Sequence, residues 1–236
     1  MKICIIHGSP RKGNTYKAAE IFKDEITKNG HAEFKEFFLP KDMPEFCCGC
    51  YNCFLKGEDK CPHAKYIKPI EDAIREADGL IFTSPSYVLS VSGEMKALLD
   101  HLAHIFIPHR PMEEMFSKIA VIISTTAGAG TGHSIKTIKR SLKYWGVKRI
   151  YSCGFSMYAL NWEDMKKEKQ NKFSKILQKK ADKFYKSVKT RDKLSAPIFT
   201  RIVFCMMRGM MKNYEDSNRD KEYWKQKGWL DGKKPF

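Results

Sequence analysis

Two stretches of the chain carry residues whose types and spacing could do chemistry. The first is Lys2-Ile-Cys-Ile-Ile-His-Gly8-Ser9-Pro10-Arg11-Lys12-Gly13-Asn14-Thr15. It reads as a short apolar strand that breaks at Gly8 into a turn of hydroxyls, glycines and cations, and an amphipathic helix follows. That order places backbone N–H groups beside the positive end of a helix, which makes a phosphate seat. Ser9, Asn14 and Thr15 can donate hydrogen bonds to phosphate oxygens, and Arg11 or Lys12 can neutralise their charge. Neither the Gly-x4-Gly-Lys-Ser/Thr loop nor Gly-x-Gly-x-x-Gly is present. The plainer alternative is a strand-turn-helix with an asparagine cap and no ligand.

The second stretch is Phe46-Cys47-Cys48-Gly49-Cys50-Tyr51-Asn52-Cys53, with Cys61-Pro62-His63 close behind. Cys47, Cys50 and Cys53 recur every third residue, a repeat that lets three thiolates face one iron–sulfur cluster, and Cys61, eight residues later, is a fourth nearby cysteine. A zinc site using Cys47, Cys50 and Cys53 with Cys61 or His63 fits the same residues. So do reduced structural or redox-active thiols. Cys48 is then an extra thiol, and Cys4, Cys153 and Cys205, in apolar surroundings, read as small core residues.

The elements that must position these residues alternate regularly. Strands are expected at 2–7, 31–38, 79–83, 118–124 and 147–155, and helices at 14–29, 65–77, 92–106, 131–145 and 162–189. The cysteine stretch falls in a long loop, 39–63. Five strands alternating with helices imply a doubly wound, five-stranded parallel sheet in three layers. Ligands of such sheets bind beyond the carboxyl ends of the strands. The small-residue loops at 8–15, 84–92 and 125–130 follow strands one, three and four, so all three gather on one edge.

Gly8-Ser-Pro-Arg with Gly13-Asn-Thr, Ser84-Pro-Ser-Tyr87 with Ser92-Gly93, Lys96 and Asp100, and Thr125-Thr-Ala-Gly128 together resemble the flavodoxin-like NADPH-dependent FMN reductase family over about residues 1–155. The resemblance implies FMN as cofactor. Its phosphate would lie on Ser9, Arg11, Lys12, Asn14 and Thr15. Its ring would be held by Pro85, Ser86, Tyr87 and Val88 and by Thr125, Thr126, Ala127 and Gly128. Ser86 stands where the family often has an apolar residue. Electrons would come from NAD(P)H or a ferredoxin-type donor, by chemistry that belongs to the flavin itself. The cysteine loop resembles that of iron–sulfur flavoproteins, which implies a [4Fe–4S] cluster on Cys47, Cys50, Cys53 and Cys61. No convincing acid/base pair is visible, and His7, inside a buried-type strand, reads as structural.

The 236 residues suffice for a real core and carry a net charge of +16, unevenly spread. Residues 1–160 hold 22 Lys and Arg against 17 Asp and Glu, and residues 161–236 hold 21 against 10. The basic tail is either a solvated lysine face or a surface for an acidic partner, nucleic acid or anionic lipid. No nucleic-acid module is visible. No apolar run approaches the roughly 20 residues of a membrane span, and Ile3 to Ile6 is too short for a signal peptide, so a cytoplasmic protein with reduced thiols is expected.

A domain of residues 1–190 is thus expected, with the cysteine loop as an insert, followed by a helical extension over 191–236. In the extension, Ile198, Ile202, Val203, Met206 and Met210 form an apolar stripe, widened by Phe199, Phe204, Met207 and Met211. It covers the domain's own surface, packs on a second subunit in a homodimer or larger homo-oligomer, or lies on a membrane interface. The aromatic tail around Tyr223, Trp224 and Trp229 is expected to dock. The leading function is an FMN-dependent oxidoreductase passing electrons to a small-molecule or protein acceptor. The alternative is a non-enzymatic flavin or thiol redox sensor with a basic contact surface.

Overall fold

The computed structural model describes residues 1–236. Five parallel strands, β1 (Lys2–His7), β2 (Glu33–Phe38), β3 (Gly79–Pro85), β4 (Ile119–Thr126) and β5 (Arg149–Ser156), form one sheet in the order β2-β1-β3-β4-β5. Helices α1 (Asn14–Asn29), α2 (Asn52–Leu55), α3 (Ala64–Glu76), α4 (Gly93–His101), α5 (Thr131–Tyr144), α6 (Lys167–Lys189), α7 (Ile198–Lys212) and α8 (Arg219–Gln226) complete the chain. The strand order is that of a flavodoxin-like doubly wound sheet, which reverses direction between β1 and β3.

The central strands are apolar on both faces because both faces are covered. On one side Ile3, Ile5, Ile81, Val121 and Ile123 pack against Ala18 and Phe22 of α1 and Leu177 and Phe184 of α6. On the other, Cys4, Ile6, Leu80, Phe82 and Ile122 pack against Ile70 and Ile74 of α3, Met95 and Leu98 of α4, and Ile138 and Leu142 of α5. The period-two alternation of each strand thus sorts its side chains between two helical layers.

The boundaries depart from expectation where local chemistry intervenes. β2 begins at Glu33, not His31, because its ladder starts at Lys2↔Glu33; ahead of it only the chain terminus remains, where the Met1 ammonium donates to His31 O at 3.1 Å. α6 begins at Lys167 rather than 162. The backbone N–H and side-chain amide of Asn161 instead donate to Asp164 Oδ2 at 3.1 and 3.0 Å, a local turn that competes with the helix. α4 ends at His101 and tightens into a 3₁₀ turn over Leu102–Ile105. The loop at 39–63 contains α2 and a 3₁₀ turn over Glu58–Lys60.

The tail folds back on the chain. Phe204, Met207 and Met211 of α7 join Trp224, Trp229, Ile107 and Phe116 in a third apolar cluster. Phe204 stacks on Trp224 with ring centroids 4.7 Å apart. The stripe Ile198, Ile202, Met206 and Met210 points outward instead. Cys4 and Cys153 are buried as expected, but Cys205 is exposed, because the helical period that turns Phe204 inward turns Cys205 out. No helix is long and apolar enough to cross a membrane.

Candidate functional site

The loops after β1, β3 and β4 are stitched together at one edge of the sheet. Gly8 leaves β1 with its N–H bonded to Thr83 O at 2.7 Å, and its carbonyl accepts from Ser92 Oγ. A Cβ on Gly8 would lie 2.9 Å from both Ser92 Oγ and Thr83 O, so only glycine lets these segments close. Ser92 also caps α4, accepting from Met95 N at 3.3 Å. Thr15 Oγ1 and Thr125 Oγ1 share a 2.5 Å hydrogen bond across 110 residues of sequence. Ser86 N donates to Thr125 O at 2.8 Å. Gly130, at φ +108°, passes so close beneath the Ser86 loop that a Cβ would sit 2.5 Å from Ser86 Oγ.

Between these loops lies a cleft of about 260 Å³ lined by Ser9, Arg11, Asn14, Thr15, Pro85, Ser86, Tyr87, Thr125, Thr126 and Ala127. Three residues expected there stand outside it. Lys12 turns back over the rings of Tyr16 and Phe38, its Nζ 5.3 and 5.7 Å from their centroids. Val88 is 98 % exposed at the tip of a turn, and Gly128 faces open space. Gly13 of the first turn also lines the cleft, as do Ala159 and Leu160, to which no sequence motif points. Asn14 Nδ2 donates to Leu160 O at 3.0 Å, and no local signal announces a pairing 146 residues apart.

The cleft fits a phosphorylated ligand. Gly13 gives α1 no side-chain cap, and the first turn of α1 carries no acid, so its N–H groups and its dipole face the cleft without a competing charge. Asn14 Oδ1 and Ser86 Oγ are buried with no partner, and both residues line the cleft. The turn beside it is strained. Tyr87 and Ser90 exchange backbone hydrogen bonds of 2.9 and 3.0 Å, which places Val88 and Leu89 at φ +47° and +63°.

A second cavity, of about 320 Å³, is lined by Cys47, Cys48, Cys50, Cys53 and Cys61 together with His63 and His101. The four cysteines of the spaced motif therefore open on one space, a soft donor set that suits an iron–sulfur cluster. Burial pushes the Cys53 and Cys61 thiols up, and neighbouring sulfurs add to the shift. His101 was not foreseen. Burial lowers its pKa, and its neutral ring donates from Nε2 to Glu45 O at 3.2 Å, leaving Nδ1 4.0 Å from Cys61 Sγ. Ligand atoms of Cys61, His63 and His101 all lie within 4.8 Å of one another; Cys47, Cys50 and Cys53, which the zinc alternative also requires, are not part of that group.

α4 joins the two cavities. Ser92 at its start holds the Gly8 loop, and His101 at its end meets Cys61, about 14 Å away by helix rise. His7 is structural, bonded to Glu36 at 2.9 Å and Thr83 at 3.2 Å and stacked on Phe38.

Residues 1–153 match the family model of NADPH-dependent FMN reductases. An iron–sulfur flavoprotein of Archaeoglobus fulgidus is 29% identical over 98% of this chain and 100% of its own length. Among solved structures, the apo form of an NADH:FMN oxidoreductase superposes with a TM-score of 0.56 at 23% identity, over 85% of this chain and 93% of that one. An FMN-dependent NADH-azoreductase from Bacillus anthracis, in complex with FMN, gives 0.59 at 13% identity, over 78% and 100%. At these identities the structural likeness shows the fold.

Proposed function

The chain belongs to the NADPH-dependent FMN reductase family, and from that premise we propose that it is an FMN-dependent oxidoreductase carrying both FMN and a [4Fe–4S] cluster. It takes electrons from NAD(P)H or a ferredoxin-type donor and passes them to a small-molecule or protein acceptor. The carrying observation is the convergence of three loops on one cleft that holds open N–H groups and unpartnered polar atoms. Arg11, Ser9, Thr15 and the start of α1 bind the phosphate. The small residues of the second and third loops let backbone approach a flat ring closely. FMN, when bound, supplies hydride acceptance and the change from two-electron to one-electron transfer. Cys47, Cys50, Cys53 and Cys61 hold the cluster, which supplies a single-electron relay.

The rim of this edge carries exposed Phe46, Tyr87, Val88, Leu89, Tyr158 and Leu160. Apolar side chains in such number around a site mark an interaction surface, and a second copy of the chain is the partner this reading assigns to it. A monomer by sedimentation of the holo-protein would refute that assignment.

The function is tested on anaerobically purified protein by absorbance, iron and acid-labile sulfide. NAD(P)H should bleach the flavin band, with iron and sulfide present in equal amounts. Flavin bleaching without iron would reduce the reading to a plain flavin reductase. A protein that neither holds nor accepts FMN would end it.

A further inference from the structure

The first half of the cysteine loop does little to support itself. None of the backbone N–H groups of residues 43–51 bonds to a backbone carbonyl, and α2, which carries Cys53, is four residues long. α2 closes on its own backbone bonds to Tyr51 and Asn52, but what holds the Cys53 carbonyl comes from elsewhere in the chain. Arg110 is only 7 % exposed and lies beneath the loop. Its Nη2 donates to the carbonyl of Cys53, and its Nη1 donates to Asp220 Oδ1. Asp220 is in the first turn of α8, and its other oxygen accepts from His109 Nδ1 at 2.9 Å. The ring of Phe54 meets His109 edge-on at 4.6 Å.

α8 is itself well anchored. Asn218 caps it, accepting from Asp220 N and Lys221 N at 3.0 and 3.1 Å. Trp224 Nε1 donates to His109 O at 2.7 Å, and Tyr223 OH donates to Pro111 O at 2.7 Å. One buried guanidinium thus joins the cysteine loop, the 109–111 segment and the C-terminal helix.

We propose that Arg110 and Asp220 are positioning residues for the cysteine loop, so that α8 fixes the place of Cys53. The inference rests on the reading of Cys53 as a cluster ligand. Its physical basis is the fork of the guanidinium. Arg110 spans a carbonyl and a carboxylate at once, which a lysine ammonium with its single point charge does not reproduce. Removing the Asp220 charge leaves the buried Arg110 with only the half-exposed carboxylate of Glu58, 3.7 Å from Nη2, as counter-charge, and the segment it holds must shift to relieve it.

The test uses full-length, FMN-loaded protein reconstituted anaerobically with iron and sulfide, comparing wild type with Asp220→Asn and Arg110→Lys. Cluster loss under an iron chelator is followed by absorbance. In cluster-free samples, alkylation of Cys53 is mapped by mass spectrometry against exposed Cys205 as internal reference. The expected result is chelator-driven loss at least about tenfold faster in both variants, with Cys53 alkylated faster relative to Cys205 and FMN affinity held within about twofold. Variants that match wild type in both rates overturn the clamp and leave the cluster standing. Variants that lose FMN together with the cluster overturn a local role. A wild-type protein that takes up no iron overturns the clamp and the cluster together.

Discussion

At the scale of single residues, the phosphate seat combines one free cation with hydroxyls already engaged in shaping the loops. Arg11→Ala should weaken FMN binding by about tenfold, the worth of one charge-assisted hydrogen bond at an open site, and leave riboflavin binding unchanged. Equal losses for both ligands in fluorescence titration would place Arg11 off the phosphate. Val88 shows a different economy. A β-branched residue at φ +47° is strained, and at 98 % exposure it gains nothing from burial within its own chain. Val88→Asn should raise unfolding free energy by about 1 kcal/mol in urea titrations.

Lys118 is buried, with Nζ donating to the carbonyls of Arg75 and Ala77 at the end of α3, and burial lowers its pKa to about 8 from the ordinary 10.5. The folded-state pKa lies below the unfolded one, so the unfolded chain holds the extra proton between those values and stability rises with pH across the window. Between pH 8 and pH 10 the thiols of Cys4 and Cys153, pushed by burial up to about 12 and about 11, act in the opposite sense, so the Lys118 contribution is read as a difference: in urea titrations wild type should gain stability relative to Lys118→Met as the pH rises. The types in the first turn, Ser9, Arg11, Asn14 and Thr15, were legible because strand, turn and helix are contiguous. Leu160, His101 and Arg110 were not, because each reaches its site only through tertiary folding.

At the scale of elements, the strands were readable from continuous apolar runs and the helices from their period, since each must bury a face against the sheet. α7 was readable as apolar but not as two-sided. Its inward face, Phe204, Met207 and Met211, docks on the chain, while Ile198, Ile202, Met206 and Met210 remain outside. Only the position of Trp224 and Trp229 decides which face is which. Trp229, 1 % exposed, packs edge-on against Phe204 at 5.3 Å and Phe116 at 6.2 Å. Trp229→Ala should cost about 3–5 kcal/mol of stability, through lost burial and the cavity left behind. A loss under about 1 kcal/mol by urea denaturation would mean that the tail is only loosely seated.

At the scale of the whole molecule, the sheet topology brings the phosphate seat and the small-residue loops to one edge. α4 then carries that edge to the cysteine cavity. Parallel connections made this convergence inferable before any coordinates, because every strand ends on the same side. The account stands on the grip of a phosphate by the first loop and α1. It is tested most directly by titrating flavin-free protein with FMN and with riboflavin, following the quenching of flavin fluorescence. FMN should bind at least about 100-fold more tightly, the sum of two or more charge-assisted hydrogen bonds. Equal affinity for the two flavins, or no binding of either, would contradict it.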